Sequence, residues 1–144
     1  MLAIGSDHGG FELKNRIVKY LESKGIEVHD FGVYNDSSVD YPDCAVPVCN
    51  AVNDKTCDAG ILVCGTGIGI SIAANKIKGI RAALCSDVYS AKMAKEHNNA
   101  NVICLGGRVI GEELAYMIVD TWLNATHLGG RHSNRVAKIH ELEN

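Results

Sequence analysis

Apolar and polar positions follow two different periods along this chain. Four short, nearly continuous apolar runs read as strands buried on both faces: "LAIGS" at 2–6, "AGILVC" at 59–64, "IRAALC" at 80–85 and "NVICLG" at 101–106. "IEVHDFG" at 26–32 alternates instead and reads as a further strand. The longer stretches between them have helical spacing. "GFELKNRIVKYLESKG" at 10–25 puts Leu13, Ile17, Tyr20 and Leu21 on one face and ends at a glycine stop. Residues 33–41 read as loop, and Pro42 suits the first turn of a helix reaching about residue 54. Further helices are expected over 67–76, 88–97 and 111–124, with a last one over about 132–143 after Gly129-Gly130.

Strand and helix therefore alternate down the whole chain. The pattern predicts an α/β fold: one Rossmann-like three-layer domain over residues 1–144, with a five-stranded parallel sheet, helices on both faces and a C-terminal helix. In such sheets ligands bind beyond the carboxyl ends of the strands. Asp7-His8 follow the first strand, Cys64 ends the third, Ser86-Asp87 follow the fourth and Gly106-Gly107-Arg108 the fifth. His97-Asn98 close the loop before the fifth strand, and are expected on the same rim as Cys64.

Composition narrows the class. The chain has 144 residues and a net charge of −3, which argues against a general nucleic-acid or membrane-surface binder. No apolar run approaches the roughly 20 residues needed to span a bilayer. The start "MLAIGSDHGG" lacks a basic leader region, so a cytoplasmic protein is expected. The six cysteines form no C-x-x-C pair. Most of them read as small buried hydrophobes, and no metal-binding set emerges.

The chemistry concentrates in "VCGTGIGI". This is neither a Walker A loop nor G-x-G-x-x-G, because no Gly-Lys-Ser/Thr follows and position 70 is isoleucine. Three small residues at a strand-to-helix turn still let backbone N–H groups converge at a helix N-terminus, a setting that favours a phosphate or a reaction oxyanion. The plainer alternative is a tight turn with close packing. Cys64 abuts this loop and is a candidate nucleophile or general base. His8 and His97 are candidate acid/base partners, whereas His29 and His140 read as structural. Arg131 and Arg135 lie four apart on one helical face beside His132, a set suited to a dianionic phosphate, and Arg108 is a further candidate. An anion cradle, a thiol, histidines and arginines suit proton transfer next to a carbonyl on a phosphorylated small molecule. Asp87, twenty residues past Gly67, leaves room for a non-catalytic nucleotide- or NAD-binding module.

Five separated stretches resemble one family: "GSDHGGFELK", "DYPDCA", "GILVCGTGIGISIAANKIKGIRAALC", "AKEHNNANVICLGGRVIG" and "GGRHSNRV". They are similar to the type B ribose-5-phosphate isomerases, which group with the subunits of galactose-6-phosphate isomerase. The resemblance runs in register over essentially the whole chain. It implies a pentose-phosphate-pathway aldose–ketose isomerase that converts ribose 5-phosphate to ribulose 5-phosphate through an enediolate, without metal or organic cofactor. Matched by motif, Cys64 would move the proton between C1 and C2. The amides of Gly65, Gly67, Ile68 and Gly69 would hold the enediolate, with Thr66 orienting the substrate. His97 would open the sugar ring and Asn98 would bind hydroxyls. Asp7, His8 and Arg108 would contact substrate, and Arg131 and Arg135 would hold its phosphate. The resemblance also implies a homodimer or homotetramer whose sites combine two subunits, the C-terminal arginines completing a neighbour's site. Some members lack the cysteine and carry a glutamate just after the glycine loop; here that region reads Ile70-Ser71, which puts this chain in the thiol branch. The motifs do not separate ribose 5-phosphate from six-carbon sugar phosphates such as allose 6-phosphate or galactose 6-phosphate.

Overall fold

Alternate side chains of a strand face opposite sides of its sheet, so a strand that is apolar throughout needs helices on both sides. The computed structural model, which describes residues 1–143, has that arrangement. Strands β1 (Leu2–Ser6), β2 (Val28–Asp30), β3 (Ala59–Cys64), β4 (Ala82–Leu84) and β5 (Val102–Gly106) form one parallel sheet in the order β2-β1-β3-β5-β4. Helices α1 (Phe11–Ser23), α4 (Val88–Glu96) and α5 (Glu112–Asn124) cover one face, over Leu2, Ile4, Ile61, Val63, Ile103 and Leu105. Helices α2 (Tyr41–Asn53) and α3 (Ile68–Asn75) cover the other, over Ala3, Leu62, Cys64, Val102 and Cys104. Helix α6 (Arg131–Glu141) follows, with His132 its one buried residue. No helix among the described residues is long and apolar enough to cross a membrane.

The three central strands match their apolar runs. The edge strands β2 and β4 are shorter than the expected 26–32 and 80–85, at three residues each, because an edge strand has a partner on one side only. Helix boundaries follow local chemistry. The α1 turn closes at Gly25, with φ of 76°, where Ile26 N–H donates to the Leu21 carbonyl. Pro42 sits in the first turn of α2.

One expected placement changes. Because β4 and β5 are parallel, α4 must carry the chain back from the carboxyl end of β4 to the amino end of β5. His97 caps the far end of α4. The segment after it is pinned at the amino edge: Arg81 Nε donates to the Asn99 carbonyl (2.8 Å), Asn101 N–H to the Arg81 carbonyl (3.1 Å) and Gly60 N–H to the Asn101 carbonyl (2.9 Å). His97 and Asn98 therefore lie at the opposite end of the sheet from the Cys64 of their own chain, not on its rim.

Candidate active site

At the carboxyl end of β3 the chain must leave a buried strand and start a helix within three residues. Gly67 makes that turn with φ of 80°. A Cβ there would stand 2.5 Å from Leu84 Cδ1 and 2.9 Å from the Leu105 carbonyl carbon, so the position is closed to other residues both by conformation and by space. The turn brings Gly67 N–H onto Cys64 Sγ at 3.1 Å, and Ile68 N–H onto Thr66 Oγ1 at 3.1 Å. The N–H dipole points at the sulfur and favours negative charge on it. Thr66 accepts from the loop and keeps its own hydroxyl proton to donate. The first-turn amides of Gly69 and Ile70 have no acceptor among the described residues, which leaves donors at the positive end of α3.

Two neighbouring loops pack backbone against backbone beside this one. A Cβ on Gly10 would meet the Val63 carbonyl oxygen at 2.4 Å, and one on Gly107 the Gly9 carbonyl oxygen at 2.9 Å. Close packing, the plainer reading of the glycines, is thus present around this loop. Asp7, 6 % exposed, accepts from Gly10 N–H at 3.1 Å and caps the short turn His8–Gly10. His8 Nδ1 accepts from Val39 N–H at 3.2 Å. Arg108 N–H donates to the Gly65 carbonyl at 2.9 Å, and its guanidinium lies over Gly65, where a Cβ would come within 3.3 Å of Nη1. Cys64, Thr66, the glycine loop, Asp7, His8 and Arg108 therefore share one rim.

The remaining candidates assemble at the other end. The His97 ring stacks on His132, with centroids 4.1 Å apart and planes 9° from parallel. Burial, followed by the charges of His97, Arg131, Arg135 and His127, pushes the His132 pKa below the usual histidine range. His127 Nδ1 lies 3.0 Å from the Glu96 carbonyl and fastens the approach to α6. Arg131 and Arg135 are exposed on α6, and the exposed Asn98 directly follows His97 in the chain. His140 is tied to Glu143 (2.7 Å) and to Arg81 (2.8 Å), a structural network.

Burial pushes Cys49 and Cys85 up to about 11 and raises Cys104 well above the ordinary thiol range. Cys44 and Cys57 are also raised, again by burial first. Asp87 caps α4 through Ser90 N–H (2.7 Å), which gives the acid of the nucleotide-binding alternative a structural task. Sequence reasoning missed Tyr41, whose ring sits on the glycine loop: a Cβ on Gly69 would fall 2.7 Å from Tyr41 Cζ. The only sequence signal was its place in "DYPDCA".

The family model described as Ribose/Galactose Isomerase matches residues 2–139. The chain is 52% identical to ribose-5-phosphate isomerase B of Escherichia coli over 142 residues, covering 99% of this chain and 95% of that protein. It is 49% identical to a D-erythrulose-4-phosphate isomerase of Pectobacterium atrosepticum, covering 96% and 91% of the two chains. The solved ribose-5-phosphate isomerase B of Clostridium thermocellum superposes with a TM-score of 0.98 at 56% identity, covering 99% and 96%.

Proposed function

The chain belongs to the ribose/galactose isomerase family, and from that premise we infer that it interconverts D-ribose 5-phosphate and D-ribulose 5-phosphate. It is an aldose–ketose isomerase. The observation that carries the reading is the Gly67 N–H on Cys64 Sγ, 3.1 Å away, at the mouth of a loop with unused amides. In the open-chain aldose, Cys64 as thiolate takes the C2 proton. The C2–H electrons form the C1–C2 double bond, and O1 becomes an enediolate oxygen facing the loop, where the Gly69 and Ile70 amides have no acceptor among the described residues, while those of Gly67 and Ile68, expected to share this task, are engaged by Cys64 and Thr66. The thiol returns the proton to C1 while the O2 proton passes to O1, which leaves the ketone at C2. Thr66 donates its hydroxyl proton to the sugar beside Cys64. Asp7, His8 and Arg108 contact substrate, His97 opens the furanose ring, Asn98 binds hydroxyls, and Arg131 and Arg135 hold the phosphate.

These roles require two copies of the chain, because His97 and the arginines belong to the far end of the sheet. A homo-oligomer with shared sites resolves this. Supporting it, α3 runs from the Cys64 rim towards the amino edge and exposes Ile68 (52%) and Ile72 (57%) one turn apart. Two such helices packed antiparallel across a twofold axis would bring each amino-edge cluster to the other copy's glycine loop.

The test is a direct assay on ribose 5-phosphate in the presence of a chelator. Cys64→Ala should lower kcat by roughly 10³-fold with an unchanged circular-dichroism spectrum. Near-normal turnover would remove Cys64 as the base. Comparing kcat/KM across four-, five- and six-carbon sugar phosphates fixes the chain length preferred, which pocket depth decides.

A further inference from the structure

Lys14 is buried, with its side chain 1% exposed, and the isomerisation as described does not use it. Its ammonium has three protons and three acceptors: Asp30 Oδ2 at 2.8 Å, Asp30 Oδ1 at 3.0 Å and the Val33 carbonyl at 2.7 Å. The rings of Phe11 and Tyr34 lie 5.4 and 5.6 Å from it. Burying an ammonium–carboxylate pair is a poor way to gain stability compared with apolar packing, so its geometry is the informative part.

The contacts of Lys14 close a ring. Lys14 stands one helical turn into α1, whose N-terminal approach carries His8. Asp30 ends β2, and Val33 lies at the start of the segment between β2 and α2. The end of β1 also holds that segment, through Ser6 N–H to the Gly32 carbonyl (2.8 Å) and Val33 N–H to the Ser6 carbonyl (3.0 Å). Tyr34 hydroxyl donates back to the Asp30 carbonyl at 2.9 Å. The segment's far end supplies Val39 N–H to His8 Nδ1 at 3.2 Å. A backbone N–H can only donate, so Nδ1 is the unprotonated nitrogen and a neutral ring carries its proton on Nε2.

We propose that Lys14 is a positioning residue: by clamping the 30–33 turn to α1 it holds Val39 against His8, fixing His8 as an Nε2–H donor towards the anionic substrate. This rests on the reading of His8 as a substrate contact. His8 then orients the substrate through a hydrogen bond and carries no proton through the reaction.

Two variants test it. Lys14→Met removes the clamp, and Val39→Pro removes the N–H while leaving the clamp intact. Imidazole ¹⁵N shifts of His8 should show the Nε2–H tautomer in the substrate-free wild type and a mixture in both variants. Both should raise KM for ribose 5-phosphate about tenfold, the scale of one charge-assisted hydrogen bond, with kcat within about threefold. An Nδ1–H tautomer in the wild type overturns the proposal. So does a Lys14→Met protein of lower Tm whose tautomer and KM are unchanged, since Lys14 would then be structural only. A wild type with the expected tautomer but no turnover would sink the isomerase reading instead and leave the link from Lys14 to His8 standing.

Discussion

Two inactive variants should make an active enzyme. Gly60 pairs with Val102 and Cys64 with Gly106, so the β3–β5 ladder from the amino edge to the thiol spans four residue steps, about 13 Å at the usual rise. Residues 97 to 101 lie at the amino edge, and His97 is further still from the thiol of its own chain. A five-carbon phosphate cannot bridge that distance through the sheet. If sites are shared across a twofold axis, a Cys64→Ala chain paired with a His97→Asn chain has one doubly defective site and one wild-type site. Random pairing of equal amounts gives half mixed dimers, each with one good site of two, and therefore about a quarter of wild-type activity. Co-expression with differently tagged chains, purification through both tags and the coupled isomerase assay measure this. The doubly tagged fraction alone should reach about half the wild-type kcat per chain. If that fraction, with its composition confirmed by native mass spectrometry, stays at the sum of the separate variants, then each site is built from one chain and the shared-site reasoning fails.

Two further outcomes follow from the geometry. Gly67→Ala should cost roughly 2–4 kcal/mol of stability, read as a lower urea midpoint at unchanged slope, because it adds a left-handed backbone penalty to a clash with Leu105 main chain; a midpoint within error of wild type would show that the turn rearranges freely. His132 has its pKa lowered in the folded chain, so the unfolded chain binds more protons and stability rises with pH. That contribution is complete above the ordinary histidine pKa and is lost as pH falls below it towards the folded value. His132→Gln should flatten the fall in Tm between about pH 7 and 5, and an unchanged slope would assign it to other groups.

Much of this was legible in the chain. Strands β1, β3 and β5 are buried on both faces, and their sequences are apolar without interruption. The place of Cys64 and the glycine loop at the carboxyl end of β3 was legible because a strand end followed by Gly65, Gly67 and Gly69 permits few other arrangements. The edges of the sheet were read too long because apolar content does not report how many neighbours a strand has. The side of His97 was misread although topology determines it: a loop entering a parallel strand lies at that strand's amino end. The His97–His132 stack, Tyr41 on Gly69 and the burial of Lys14 had no one-dimensional signal, since each joins residues whose spacing follows no helical or strand period.

The case for a thiol base rests finally on elimination at one rim. A carbon-bound proton needs a base free to accept it. Asp7 caps the His8–Gly10 turn, with Oδ1 accepting from Gly10 N–H. His8 Nδ1 is occupied by Val39. Arg108 is a cation over Gly65, and Thr66 already accepts from Ile68. After the loop, where a carboxylate could have served, stand Ile70 and Ser71, both buried, with the serine hydroxyl donated to the Ile68 carbonyl at 2.7 Å. Cys64 is left, 5% exposed, at the end of a strand too rigid to swing it away. Its one contact to an N–H, from Gly67, stabilises the sulfur as it gains charge and does not fill the site where a proton would arrive. In the proposed mechanism the glycine turn would thus serve the thiol as directly as it serves the enediolate.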